Sequence, residues 1–302
     1  MPADGVLLIA FGGPTRPEEI RPFLARVAHG RSIPRERLEE VASHYERIGG
    51  RSPLNDITFR QAAALARALA TAGRPLPVHV GMRNWTPSLA DALGAMARAG
   101  LRRAVGVILS PHATEASRAR YVEAVDAARA ALGPAAPEVL YVRPWHTHPL
   151  FVEAVGDAVR AACATVPRGA RLVFTAHSVP VAMAAASPYV AEVTASAAAV
   201  AAAVGADRWQ VAYQSRSGSP HEPWLDPDVN DALRALAAAG PDPVVVVPVG
   251  FVCDHVEVLY DLDVVARATA AALGLPFARA ATVNDHPAFV RMLAHVVREA
   301  AG

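Results

Sequence analysis

Short apolar runs rich in β-branched residues recur along this chain, separated by alanine-rich stretches with apolar positions at helical spacing. The runs read GVLLIAF (5–11), LPVHVGM (76–82), AVGVILS (104–110), VLYVRP (139–144), RLVFTA (171–176), WQVAYQS (209–215) and VVVVPVGF (244–251). Strand-length runs alternating with helix-length segments predict a doubly wound α/β architecture. The unbroken apolar character of residues 244–249 suits a parallel strand covered on both faces. Phe151, Val155 and Val159 recur every four residues and predict a helix with one face on the sheet.

The strand–helix pattern runs once before about residue 145 and again after it. Pro144 and Pro149 bracket the Trp145-His146-Thr147-His148 crossover. Two similar Rossmann-like halves, 1–145 and 146–302, are expected, with a cleft between them and the last helix packing back across the boundary. Ligands of open α/β sheets bind beyond the carboxyl ends of the strands. Four junctions therefore matter: AFGGP (10–14), LSPHATEAS (109–117), FTAHSVP (174–180) and VGFVCDHVEVLYDLD (249–263).

Composition narrows the partners. A net charge of +1 gives no electrostatic reason to expect nucleic acid. No apolar stretch approaches the roughly 18 residues of a membrane span, and the acidic N-terminus is unlike a signal peptide, so a cytoplasmic protein is expected. Cys163 and Cys253 lie far apart in apolar stretches and are expected to be reduced. Two thiolates cannot supply the four ligands of an ordinary iron–sulfur cluster, so none is expected.

His177 directly follows a strand and precedes Ser178-Val179-Pro180, which places its ring at a carboxyl end. Position alone leaves two readings open, a functional imidazole or one satisfied by a nearby carbonyl. Asp254, His255 and Glu257 follow the most apolar strand. Glu257 and Asp261 would share a helical face, and neighbouring carboxylates raise each other's proton affinity. One imidazole and one carboxylate do not complete a structural metal site, which needs three or four ligands. They suit a metal in transit and a substrate that must lose protons.

The His146-x-His148 pair reads as a packed loop and Asn284-Asp285-His286-Pro287 as a helix start. Gly12-Gly13-Pro14 lacks the GxGxxG spacing of a dinucleotide site, there is no Walker motif, and Ser178 lacks the G-x-S-x-G setting of a hydrolase nucleophile.

Six segments in order, AFGGP, HYERIGGRSPLN (44–55), FTAHSVP, QSRSGSPHEPWLDPDV (214–229), GFVCDHVEVLYDLD (250–263) and RAATVNDHPAFV (279–290), resemble the ferrochelatase family across about residues 5–298. The resemblance implies insertion of ferrous iron, as substrate and with no permanently bound cofactor, into a porphyrin held between two Rossmann-like halves. It implies that His177 and Glu257 face the porphyrin centre as the catalytic and metal-meeting pair, with Asp261 an outer metal contact. Arg31, Ser52 and Tyr121 correspond to propionate and ring contacts, and Tyr45 and Trp224 match an aromatic of each approach segment. Phe11 stands on the porphyrin side where related short bacterial enzymes often carry tyrosine, and it has no oxygen to offer iron. Asn84 stands where some relatives have histidine, and Val265 shortens the carboxylate row.

On this resemblance coproporphyrin III is favoured over protoporphyrin IX, and transient contact with neighbouring haem-pathway enzymes is an implied partnership. A cobalt or nickel chelatase of a reduced tetrapyrrole and a non-catalytic porphyrin carrier are the rival readings.

Overall fold

The computed structural model describes residues 2–30, 33–217 and 221–302. Its strands are β1 (Gly5–Ala10), β2 (Val78–Met82), β3 (Arg103–Ile108), β4 (Glu138–Tyr141), β5 (Arg171–His177), β6 (Trp209–Gln214), β7 (Val244–Val247) and β8 (Phe277–Arg279). They form two four-stranded, wholly parallel sheets, ordered β2-β1-β3-β4 and β6-β5-β7-β8. Both sheets thus wind second-first-third-fourth. The α/β class with two like-wound halves follows from the alternating pattern, because parallel neighbours need a helical crossover between them.

The chain divides into two compact units. One comprises residues 1–110, 116–144 and 285–302, and the other residues 111–115 and 145–284. The first unit buries β1 entirely and packs Leu7, Ile9, Leu93, Met96 and Val125 into one cluster. Its last helix, Pro287–Ala301, opens with His286 accepting a hydrogen bond from the Ala288 N–H at 3.2 Å, the helix start expected from Asn284-Asp285-His286-Pro287.

In the second unit all four valines of β7 are buried. Each such side chain contributes on the order of 2 kcal/mol. The Pro149–Cys163 helix buries Phe151, Val155 and Val159 as their spacing requires, and His148 caps its start by accepting from the Leu150 N–H at 3.2 Å. Both cysteines are free, Cys253 buried and Cys163 half-buried.

Two expectations of detail change. The fourth run stops at Tyr141, three residues short of Pro144, and β8 is a strand that the apolar pattern does not announce. β8 has only three residues and β4 four, and both sit at sheet edges, where half-covered strands carry weaker patterns.

Candidate active site

In each sheet the first and third strands lie side by side while their crossovers leave in opposite directions. That arrangement opens a crevice at their carboxyl ends. His177 is the last residue of β5, and the chain leaving neighbouring β7 turns back at residues 248–255 into a helix that begins at Val256. His177 and Glu257 meet there, with His177 Nε2 3.5 Å from Glu257 Oε1.

Close packing beneath the pair sets their separation. Gly250 donates its N–H to the Thr175 carbonyl at 3.0 Å. A Cβ at 250 would lie 2.7 Å from both Cα and Cβ of Ala176, so only glycine allows the turn to pass so near the strand. Gln214 pairs with His177 in the β5–β6 register, and its Nε2 donates to the Glu257 carbonyl at 2.6 Å. One side chain thereby couples the strand edge to the helix carrying the carboxylate. The Tyr189 hydroxyl donates to the His177 carbonyl at 2.8 Å.

The helix changes from α register at Val256–Val258 to π register over Leu259–Ala266, which the residue pattern does not signal. Such π segments concentrate at functional sites. Val258, Leu262, Ala266 and Ala270 form its buried row, which leaves Glu257 and Asp261 together on the adjoining flank. Asp261 accepts a hydrogen bond from the Ser215 hydroxyl. His255 caps the helix start by accepting from the Glu257 N–H at 3.2 Å, and its Nδ1 lies 4.0 Å from Glu257 Oε2.

These contacts split the charges. Burial lowers the proton affinity of His177, but the Glu257 carboxylate, through charge and hydrogen bonding, and the Ser178 carbonyl beside Nδ1 raise it to about 8. Burial raises Glu257, yet His177 and His255 bring it down to about 2. Both ring nitrogens of His177 face acceptors, so the resting pair is imidazolium and carboxylate. The ordinary imidazole value of about 6.5 does not survive next to an ionised carboxylate. Nor do the two carboxylates raise each other. Asp261 alone is raised, to about 7, chiefly by burial and also by Glu257, against the Ser215 hydrogen bond, while Glu257 is held ionised by histidine.

Among the described residues no group of three or more His, Cys, Asp or Glu side chains is placed to hold a metal ion. Iron at His177 and Glu257 would therefore keep open positions for another ligand.

The remaining sequence-derived candidates fall into separate settings. Phe11, 37% exposed, and Tyr45, buried, each pack edge-on against Phe23, with ring centroids 6.3 and 6.2 Å away. Ser52 is buried; its hydroxyl accepts from the Leu54 N–H at 3.3 Å, and its own N–H donates to the Pro14 carbonyl. Tyr121 is buried beneath the Arg83 guanidinium, 5.5 Å from its ring centroid. Trp224 bridges to Pro180 and, with Ser178, Tyr213 and Asp228, lines a cavity of about 510 Å³ that neither His177 nor Glu257 lines. Arg31 lies outside the described residues.

Residue-level reasoning missed Gln214, Ser215 and Tyr189. The first two stand in the QSRSGSPHEPWLDPDV segment, so its resemblance was the available signal. Tyr189 carried none.

Parallel sheets wound alike, with an imidazole and a carboxylate meeting at a switch point, define an α/β protein of two like-wound halves with a candidate catalytic pair. Solved structures share that fold over nearly the whole chain. The sirohydrochlorin chelatase SirB from Bacillus subtilis in complex with cobalt covers 98% of this chain and 94% of its own at 14% identity, with a TM-score of 0.61. CbiX, the terminal enzyme for biosynthesis of sirohaem in denitrifying bacteria, covers 99% of this chain and 100% of its own at 16% identity, with a TM-score of 0.57.

Sequence relatedness is more specific. The ferrochelatase family model matches residues 3–301. The chain is 48% identical to a coproporphyrin III ferrochelatase of Mycobacterium avium, over 99% of this chain and 88% of that protein. It is 47% identical to one of Nocardia farcinica over the same shares. The chain belongs to the ferrochelatase family, and it is a lyase that inserts metal into a porphyrin.

Proposed function

We propose that this protein is a cytoplasmic coproporphyrin III ferrochelatase of haem biosynthesis, with His177 and Glu257 as its catalytic pair. The 3.5 Å approach of an imidazole and a carboxylate at the β5–β7 switch point carries the assignment of the site. The substrate follows the relatives named above. No helix among the described residues is long and apolar enough to cross a membrane, which agrees with a chain working in an aqueous compartment.

Insertion exchanges one ferrous ion for two pyrrole protons. Once the proton shared by His177 and Glu257 has passed through Asp261 to water, the free Nε2 of His177 would accept one pyrrole proton and the Glu257 carboxylate the other as iron enters the ring. Asp261, held near 7, can take the shared proton and release it to water at neutral pH. The family resemblance assigns the macrocycle and its carboxylates to Arg31, Ser52 and Tyr121, with Phe11, Tyr45 and Trp224, and binding energy of the ring would support the pucker that tilts nitrogen lone pairs toward the metal.

Iron is substrate in this scheme and no resident cofactor takes part. Product would pass to a neighbouring enzyme of the pathway through transient contact.

The test is anaerobic mixing with ferrous iron and coproporphyrin III, followed by absorbance. Conversion of the free-base spectrum to the metalloporphyrin spectrum, faster than with protoporphyrin IX, supports the proposal. Porphyrin binding without conversion would make the protein a carrier. Turnover confined to cobalt or nickel with a reduced tetrapyrrole would make it the other chelatase class.

A further inference from the structure

Arg279 stands on the edge strand β8 with its side chain only 12% exposed, opposite Val246 of β7. Its guanidinium makes a two-pronged contact with Asp263, Nε to Oδ1 at 3.0 Å and Nη2 to Oδ2 at 2.7 Å. The remaining nitrogen, Nη1, donates to Asp254 Oδ1 at 3.1 Å. Asp254 and Asp263 bracket the stretch that carries His255, Glu257 and Asp261, including the start of the π segment.

The Asp254 end is tied further. Thr282 Oγ1 donates to Asp254 Oδ1 at 3.1 Å, and the Asp254 N–H donates to Asn284 Oδ1 at 3.1 Å. All these residues belong to the β8 side of the second unit, and none touches His177 or Glu257 in the contacts described. A planar guanidinium satisfies two carboxylates in a fixed geometry that an ammonium cannot reproduce.

We propose that Arg279 is a positioning residue for iron. By clamping both ends of residues 254–263 it holds Glu257 and Asp261 toward His177. This rests on the assignment of His177 and Glu257 as the metal-meeting pair. Partners that orient metal-binding groups typically alter metal affinity or activity by about 10–100-fold when removed. The clamp acts on the metal side alone, so porphyrin binding is insensitive to it.

The experiment compares wild type, Arg279→Lys and Asp263→Asn in anaerobic insertion of ferrous iron into coproporphyrin III. It also measures porphyrin affinity without metal and thermal melting. Both variants are expected to raise KM for iron or lower kcat by about tenfold while porphyrin affinity stays within about twofold. Arg279→Lys keeps the charge and tests the fork; Asp263→Asn cuts the fork while leaving Arg279 in place.

Lower melting temperatures with unchanged iron KM and kcat in the folded fraction would make the clamp merely structural and overturn the inference. So would equal losses of porphyrin and iron binding. A wild type that inserts no iron would instead refute the functional assignment beneath it.

Discussion

His177 Nε2 and Glu257 Oε1 lie 3.5 Å apart although eighty positions separate them in the chain. Each still reaches solvent, with side chains 29% and 40% exposed. The pair is thus an ion pair open to a third party. A ligand arriving from solvent finds a nitrogen whose proton is held by one carboxylate, and a second carboxylate, Asp261, that carries its own proton near neutrality.

Removing either member disables the site without dismantling the fold. His177→Ala and Glu257→Gln are each expected to lower iron insertion at least about a hundredfold, the scale of a lost acid–base group. Porphyrin titration and circular dichroism should match wild type. Near-normal turnover in either variant would remove that residue from the reaction.

The titrations give stability a direction with pH. His177 is raised to about 8, so its contribution is complete below about pH 6.5 and is lost as pH rises through 8. Asp261 is raised to about 7, so the native state favours its protonated form, and stability declines between about pH 4 and 7. Glu257 is lowered to about 2 and acts oppositely, its contribution present above about pH 4.5 and lost as pH falls through 2. Buried His112, lowered to about 3, and His255, also lowered, oppose this decline below about pH 6.5, so melting temperature should fall from about pH 6.5 to pH 9. In Asp261→Asn the loss that wild type shows between about pH 4 and 7 should be reduced; an unchanged profile would show that Asp261 titrates normally.

Tyr189→Phe deletes the hydroxyl that donates to the His177 carbonyl. About 1 kcal/mol of stability should be lost, somewhat more if the carbonyl is left without another donor. Urea denaturation measures this. Turnover should fall less than in His177→Ala, because the imidazole remains.

Gly250→Ala forces a methyl group against the Ala176 backbone at 2.7 Å. Overpacking of this kind costs about 1–3 kcal/mol. The loop after β7 would move away from β5, lengthening the His177–Glu257 approach, so activity should fall along with stability. A variant that melts lower yet inserts iron at the wild-type rate would show that the spacing tolerates the shift.

Seven of the eight strands were legible because buried parallel strands need continuous apolar, β-branched residues, which stand out from alanine-rich helices. β8 was not, since three residues at a sheet edge leave little pattern. His177 and Glu257 were legible because each follows a strand, and a carboxyl end is where an α/β sheet exposes chemistry.

Their meeting was a different matter. It depends on β7 lying next to β5, and strand order is a property of the packed sheet. The π register, the Gln214 bridge and the Arg279 clamp likewise arise from side chains distant in sequence. So do the charges: a histidine that isolated chemistry makes mostly neutral becomes an imidazolium because folding brings a carboxylate to its ring. Composition and periodicity determined which segments would be strands and helices and which polar residues would sit at their ends. Tertiary structure decided which ends would face each other and in what protonation state, because electrostatic interaction depends on distance in space and on burial, neither of which is written along the chain.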